Sequence, residues 1–253
     1  MSAERDNRPK RIATRTRVNS APVSLLGCKR EGALCSIRAT SGLGGIISCW
    51  ALRSFNKVDM NDQENLNPPA TLKQIQQESE SLGFRMSSDL LTGSLLRTLA
   101  ATKPAGQFLE LGTGTGIATA WLLDGMDQDS QLVTVDNDDS VVSVAREYLG
   151  HDRRVAFYVE DSGLLLERFT NQQFDLIFAD TWPGKYSHLE QALESLKVGG
   201  LYVIDDMLPQ PNWPEGHAAK VDQLVRQLEN RSDLKITKMN WSTGVIVAAR
   251  LKE

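Results

Sequence analysis

The stretch that most constrains the fold runs from Gln107 to Met126. An apolar strand (Phe108, Leu109, Leu111) enters Glu110-Leu111-Gly112-Thr113-Gly114-Thr115-Gly116 and leaves as an apolar helix, Ile117 to Met126. Glycine tolerates positive φ and has no Cβ to block a neighbour, so alternate glycines here permit a sharp strand-to-helix turn whose backbone can lie close to a ligand. The spacing excludes two common occupants. A dinucleotide loop needs G-x-G-x-x-G, but the sixth position from Gly112 is Ile117 and from Gly114 it is Thr119; a P-loop needs Gly-Lys-Ser/Thr after the strand, and none follows.

Glu110, two residues before the first glycine, narrows the ligand further. A bare helix N-terminus suits a phosphate, whereas a carboxylate beside it favours a ligand whose nearby end is cationic. S-adenosylmethionine, with an ammonium and a sulfonium, has such an end.

Charge divides the chain. Residues 1–59 carry 11 Lys and Arg against 4 Asp and Glu, while the remaining residues carry 17 against 28, so a basic leader precedes an acidic body. Cys28, Cys35 and Cys49 all lie in the leader. The body therefore needs no disulfide and fits a reducing, cytoplasmic setting, and the cysteine spacing matches no zinc pattern. The leader reads as a disordered tail, as an Arg-rich organelle transit segment, or, the reading favoured here, as sequence upstream of a start at Met60. Its most apolar run, Leu43 to Leu52, is too short for a bilayer span of ~20 residues. The leader lacks interleaved aromatics and the body is acidic, so neither a nucleic acid nor a membrane is expected as a partner.

Within the body, residues 60–105 read as an N-terminal arm: a polar Pro68-Pro69 segment, then helices over Leu72–Leu82 and Ser88–Ala101. Residues 106–253 alternate strands (Gln107–Leu111, Leu132–Asp136, Val155–Val159, Phe174–Ala179, Leu201–Ile204) with helices near Ile117–Met126, Ser140–Leu149, Leu189–Leu196 and Ala218–Glu229. Near-continuous apolar strands of this kind belong to a parallel sheet covered on both faces. Leu234–Met239 and Gly244–Ala249 close the chain with no room for a helix between them, so they should pair antiparallel. The expected fold is α/β, a Rossmann-like seven-stranded sheet, mostly parallel with an antiparallel C-terminal strand and helices on both faces.

In such sheets ligands bind beyond the carboxyl ends of the strands, where strand order reverses. Acids stand at or beside each of those ends: Glu110, Asp136, Asp161, Asp180 and Asp205-Asp206. A carboxylate at position 136 can accept two charge-assisted hydrogen bonds from a ribose diol, a device that nicotinamide enzymes share.

With these residues in place, most of residues 86–250 resembles a class I S-adenosylmethionine-dependent methyltransferase. The resemblance implies that Glu110, Gly112, Thr113, Gly114 and Gly116 hold the methionine end, that Asp136 with Asn137 holds the ribose, and that Asp161-Ser162 meets the adenine. The second half, Phe174-Asp175-Leu176-Ile177-Phe178-Ala179-Asp180-Thr181-Trp182 and Gly199-Gly200-Leu201-Tyr202-Val203-Ile204-Asp205-Asp206, resembles the catechol and caffeoyl-CoA O-methyltransferase branch. In that branch an acid and an Asp-Asn pair bind a magnesium-type ion, which implies a metal set of Asp180, Asp205 and Asp206, with Asp206 in the asparagine's place. Converging carboxylates repel unless a hard cation relieves them.

The branch usually places a lysine three residues after the first metal aspartate; here Pro183 stands there and Lys185 follows two residues later. Lys185 and Asp180 are thus the candidate catalytic pair. Trp182, Tyr186 and Trp213 lie on loops at the same rim and could wall a planar acceptor. His188 and His217 have no partner at metal or triad spacing and read as helix-surface residues, and Met86 with Ser87-Ser88 resembles the segment that folds over the cofactor. The expected reaction is O-methylation of a small molecule, with a homodimer left open. A nicotinamide oxidoreductase, a non-catalytic nucleoside-binding module and an aminopropyl transferase remain as rival readings.

Overall fold

The structure is a computed structural model and describes residues 61–169 and 174–252. The readings made of residues 1–59 lie outside the described residues. The elements run α1 Leu72–Leu82, α2 Leu90–Ala101, β1 Gln107–Leu111, α3 Ile117–Gly125, β2 Gln131–Asp136, α4 Asp139–Leu149 and β3 Val155–Val159. They continue as α5 Ser162–Arg168, β4 Phe174–Ala179, α6 Leu189–Glu194, β5 Leu196–Ile204, α7 His217–Glu229, β6 Leu234–Met239 and β7 Val245–Arg250.

Seven strands form one sheet in the order β3-β2-β1-β4-β5-β7-β6. The pairs β1–β2, β1–β4, β2–β3 and β4–β5 are parallel, and β7 runs antiparallel to both β5 and β6. This is the expected sheet. Strand order reverses between β1 and β4, so a crevice opens over the carboxyl ends of those two strands.

Strand alternation sends successive side chains to two separate cores. Phe108, Leu176, Phe178 and Val203 pack with Trp121 and Leu122 of α3 and with Leu72, Ile75 and Leu96 of the arm. Leu109, Leu111, Ile177 and Ile204 pack instead with Leu165, Leu193 and Leu224. Glu110 shares the parity of Phe108 and so points at α3 from inside the sheet. Burial on both faces explains why β1 and β4 read as near-continuous apolar runs.

Most element bounds differ from the sequence reading by only one or two residues, and two differences are larger. Leu196 belongs to β5 rather than to a helix, because it pairs with Phe174 across a register shift and its carbonyl accepts from the Arg250 guanidinium at 2.5 Å. Helix α5 was not anticipated: it is 7 residues long with a glycine at its second position, and Asp161 caps it by accepting from Gly163 N at 2.8 Å and Leu164 N at 3.1 Å. Among the described residues no helix is long and apolar enough to cross a membrane.

Candidate active site

A cavity of about 470 Å³ sits over the β1–β4 switch point. Its floor is the glycine loop, held by Gly112 N and Thr113 N donating to Val135 O at 2.9 and 3.1 Å. Gly112 has φ 104°, and a Cβ there would come within 3.0 Å of the Asp180 carbonyl oxygen. A side chain at this position is therefore disfavoured twice, by conformation and by crowding against the Asp180 backbone. The loop thus joins the two halves of the site, and Asp180 N donates back to Leu111 O at 2.8 Å.

Asp136 lines the cavity at the end of β2. Its Oδ2 accepts from Gly114 N at 2.9 Å and its Oδ1 from Asp138 N at 3.1 Å, which fixes the carboxylate while leaving lone pairs for a ligand. Asn137 lies beside it, and a smaller recess lined by Gly112, Asp136, Asn137, Asp161, Ser162 and Thr181 continues the main cavity. The arm closes the other side. Ser79 Oγ donates to Thr115 Oγ1 at 2.6 Å, and Phe84, Arg85 and Met86 line the cavity.

Glu110 is placed differently from the sequence expectation. It is fully buried, and it stands one layer beneath the loop rather than on the cavity wall. Thr119 Oγ1 and Thr134 Oγ1 both donate to its Oε2, at 2.5 and 2.6 Å, while Oε1 has no hydrogen-bond partner. Burial, opposed only by those two hydroxyls, lifts its pKa to about 7. Thr134 also pairs with Thr113 at 2.6 Å, so Glu110 acts on the loop through two threonines. The cause is strand parity: an acid at this position of a central strand must face α3.

The other half is built by side chains meeting across the chain. Ser88 Oγ donates to Asp180 Oδ2 at 2.9 Å. Lys185 Nζ lies 3.7 Å from Asp180 Oδ1 and donates to the Asp205 carbonyl at 3.0 Å, with its side chain only 4% exposed. Asp205 Oδ1 accepts from Asp206 N at 2.8 Å and from the Thr243 hydroxyl. Burial pushes the Asp180 and Asp205 carboxyls above the usual range, and Lys185 works against both shifts. Asp206 sits at φ 61° and also lines the cavity.

This arrangement does not fit the metal set that the resemblance implied. Asp180 Oδ2 is engaged by Ser88, its Oδ1 faces the Lys185 ammonium, and Asp205 Oδ1 is engaged by Thr243 and the Asp206 amide. Among the described residues no group of three or more His, Cys, Asp or Glu side chains is placed to hold a metal ion. A magnesium-type ion needs about six oxygen ligands near ~2.1 Å, and a lysine ammonium stands beside Asp180 Oδ1 and the Asp205 carbonyl.

Trp182, Tyr186 and Trp213 do line the cavity, with Trp182 edge-on to Tyr186 at 5.5 Å between centroids. His217 joins them, contrary to its reading as a surface residue. It is 7% exposed, lies 4.6 Å from the Trp213 ring, and its Nε2 pairs with Tyr186 Oη at 3.3 Å. Burial and the nearby Lys185 and Lys220 hold its pKa below the ordinary value, against the opposing pull of Asp206. The local signal was Trp213-Pro214 one turn ahead of His217, which turns the first residue of α7 back onto the rim. Thr243 had no such signal, and Ser88 had only the resemblance of Met86 and Ser87-Ser88 to a segment that folds over the cofactor.

Residues 64–251 match the family described as O-methyltransferase. The chain belongs to the O-methyltransferase family. A curated protein of Mycolicibacterium vanbaalenii, named provisionally as an O-methyltransferase, is 29% identical over 120 residues, 44% of this chain and 52% of the relative. The chain thus spans about half the length of the curated relatives first matched. The O-methyltransferase TomG from Streptomyces achromogenes, solved with SAM, superposes with TM-score 0.65 at 23% identity over 72% of this chain and 90% of that one. An O-methyltransferase from Bacillus cereus, solved with SAH, superposes with TM-score 0.64 at 18% identity over 71% and 90%. At these identities the likeness is one of fold.

Proposed function

We propose that this chain is an S-adenosylmethionine-dependent O-methyltransferase acting on a small planar molecule that carries a hydroxyl group. One observation carries the reading: a single cavity at the switch point is lined by Asp136, Asp138, Asp180, Asp205 and Asp206 against only Arg85 and Lys185. That lining repels phosphates and suits a cationic adenosyl ligand. The volume lies within the usual range for small-molecule sites, about 300–1,000 Å³.

When bound, S-adenosylmethionine supplies a methyl group on a positively charged sulfur, which an acceptor oxygen takes while the carbon–sulfur bonding pair returns to sulfur. The chain's own residues bind and align. The loop from Gly112 to Gly116 receives the methionine end, Asp136 and Asn137 accept the ribose hydroxyls, and the recess at Asp161-Ser162 receives the adenine. Trp182, Tyr186 and Trp213 hold the acceptor flat, where alignment to ~3 Å of the reacting carbon is the main demand on the protein. Lys185 offers its ammonium to negative charge on the acceptor oxygen, and the neutral imidazole of His217 is placed to take the hydroxyl proton by way of Tyr186 Oη. No step runs through a divalent cation. The lack of cysteine after residue 59 supports a reducing, cytoplasmic setting.

Isothermal titration of the full chain with S-adenosylmethionine and, separately, with NADH tests this. Saturable heat is expected for the first alone, followed by release of S-adenosylhomocysteine when a panel of phenols and catechols is added. Binding of NADH without binding of S-adenosylmethionine would overturn it.

A further inference from the structure

The three carboxyls that the resemblance assigned to a metal do gather on one wall of the cavity, but the chain brings its own cation to them. We propose that the Lys185 ammonium, beside Asp180 and the Asp205 carbonyl, takes the place of a divalent ion there, so that the protein works without a metal, and that only its removal frees the carboxylates, which as placed do not hold an ion, to close on one. The consequence for turnover rests on the methyl-transfer reading above; the consequence for ion binding does not.

Lys185 is delivered inward by a pinned turn. Lys185 N and Tyr186 N both donate to Trp182 O, at 3.1 and 2.9 Å, and Gly184 N donates to Ser187 O at 2.7 Å. The buried Tyr202 hydroxyl donates to Gly184 O at 2.6 Å. Gly184 has φ 90°, and a Cβ there would lie 2.6 Å from Leu111 Cδ1 and 2.8 Å from the Tyr202 oxygen. Glycine is therefore required for the turn, and the turn keeps the lysine side chain largely from solvent, so that it reaches only the cavity wall: Lys185 is 5% exposed.

The ammonium reaches both strands that supply the acids. It lies 3.7 Å from Asp180 Oδ1 beyond β4 and donates at 3.0 Å to the Asp205 carbonyl beyond β5. A hard divalent ion bound to the same carboxylates would sit against this positive charge at close range in a buried site, where like charges repel most strongly. The lysine shift is coherent with this. The position three residues after Asp180 holds Pro183, which cannot extend a side chain to the acceptor, and the lysine two residues later fills the cation's place instead.

The experiment uses the full chain after EDTA treatment and desalting. Wild type, Lys185→Met and Lys185→Arg are titrated with MgCl2 and MnCl2 by calorimetry and followed by thermal unfolding, and each is assayed for S-adenosylhomocysteine release. Wild type and Lys185→Arg are expected to give no saturable heat, no rise in melting temperature with either ion, and for wild type no loss of turnover after EDTA. Lys185→Met is expected to lose about a hundredfold in turnover, to gain saturable Mg²⁺ or Mn²⁺ heat, and to melt higher when the ion is present.

Saturable divalent-ion binding by wild type at these aspartates, removed by Asp205→Asn, would overturn the proposal even if Lys185→Met failed to fold. A folded Lys185→Met that binds neither ion would overturn it as well. If S-adenosylmethionine binds neither protein while Lys185→Met gains an ion, the methyl-transfer reading fails and the ammonium's place stands.

Discussion

Two acids at neighbouring strand ends, Glu110 and Asp180, are both buried and both raised in pKa, yet the chain answers them by different means. At the tip of β1 and β2, Glu110 meets only the hydroxyls of Thr119 and Thr134, and one of its oxygens has no partner. At the tip of β4 and β5, Asp180 meets a hydroxyl from the arm and an ammonium from its own loop. The first region is organised by backbone: glycines, Val135 O and the Gly114 amide on Asp136. The second is organised by side chains from Ser88, Lys185 and Thr243, which are far apart in sequence. A backbone-built site tolerates few substitutions but needs few partners, whereas a side-chain-built site can change its chemistry by moving one residue.

The largest expected break in this contrast is a pH effect on stability. The folded pKa of Glu110, about 7, lies above its ordinary 4.5. Folding therefore takes up a proton between those values, and this group's contribution to stability is greatest below pH 4.5 and falls as pH rises toward 7. Over that window it loses about 3 kcal/mol, at about 1.4 kcal/mol per pKa unit. Glu110→Gln removes the titration while keeping an oxygen for both threonines. Urea unfolding at a series of pH values should show wild type losing about 3 kcal/mol more than Glu110→Gln across the window. Parallel curves for the two proteins would show that Glu110 is not held uncharged.

Next comes Asp136, the one side chain on which the backbone-built half depends directly. Asp136→Ala removes the acceptor for the Gly114 and Asp138 amides as well as the one offered to a ribose. A loss of two charge-assisted bonds of about 1.5 kcal/mol or more each gives about a hundredfold weaker S-adenosylmethionine binding. Calorimetry checks it, and Asp136→Asn should fall between. An Asp136→Ala protein that binds the ligand as tightly as wild type would remove this carboxylate from the ligand site.

The same contrast explains what the sequence made legible. Sheet order, the switch point and the glycine loop follow from strand periodicity and from residues contiguous in the chain, so local pattern together with the family resemblance was enough to find Gly112, Asp136, Asn137 and Asp180 at the cavity. Glu110 was found but misplaced, because strand parity turns it toward α3, and a five-residue strand apolar at three positions does not declare which face that helix covers. The engagement of Asp205 by Thr243, and of Asp180 by Ser88, joins segments 38 and 92 residues apart. No short-range pattern encodes such a pair, so three acids with no visible partners read as a metal site. His217 was misread because helix amphipathicity assigns faces within α7 and says nothing of what packs against its first turn.

A smaller effect tests whether the side-chain-built half depends on its turn. Tyr202→Phe leaves the Gly184 carbonyl without its 2.6 Å donor in a fully buried place, which costs about 1–3 kcal/mol. If that bond positions Lys185, turnover should drop by more than ligand affinity, measured as a fall in kcat with little change in the calorimetric Kd for S-adenosylmethionine. Equal stability loss with unchanged kcat would assign the turn's rigidity to other bonds.

The smallest effect concerns how far the side-chain-built half is tuned by its neighbours. His217 is one of three histidines in the chain, so its Cε1 proton can be assigned by NMR through the loss of one resonance in His217→Gln. Its titration is expected below the ordinary 6.5, because burial, Lys185 and Lys220 all disfavour the imidazolium and Asp206 alone favours it. Lys220, itself exposed, also holds its ammonium 4.2 Å over the Trp182 ring, which places its charge beside the aromatic wall. Removing it by Lys220→Met should raise the His217 pKa. Turnover should then begin to fall at correspondingly higher pH on the acid side, since a protonated imidazole cannot accept from Tyr186. A His217 that titrates above 6.5, or one indifferent to Lys220, would mean that the imidazole is set by its own burial and that the acceptor wall is not adjustable from α7.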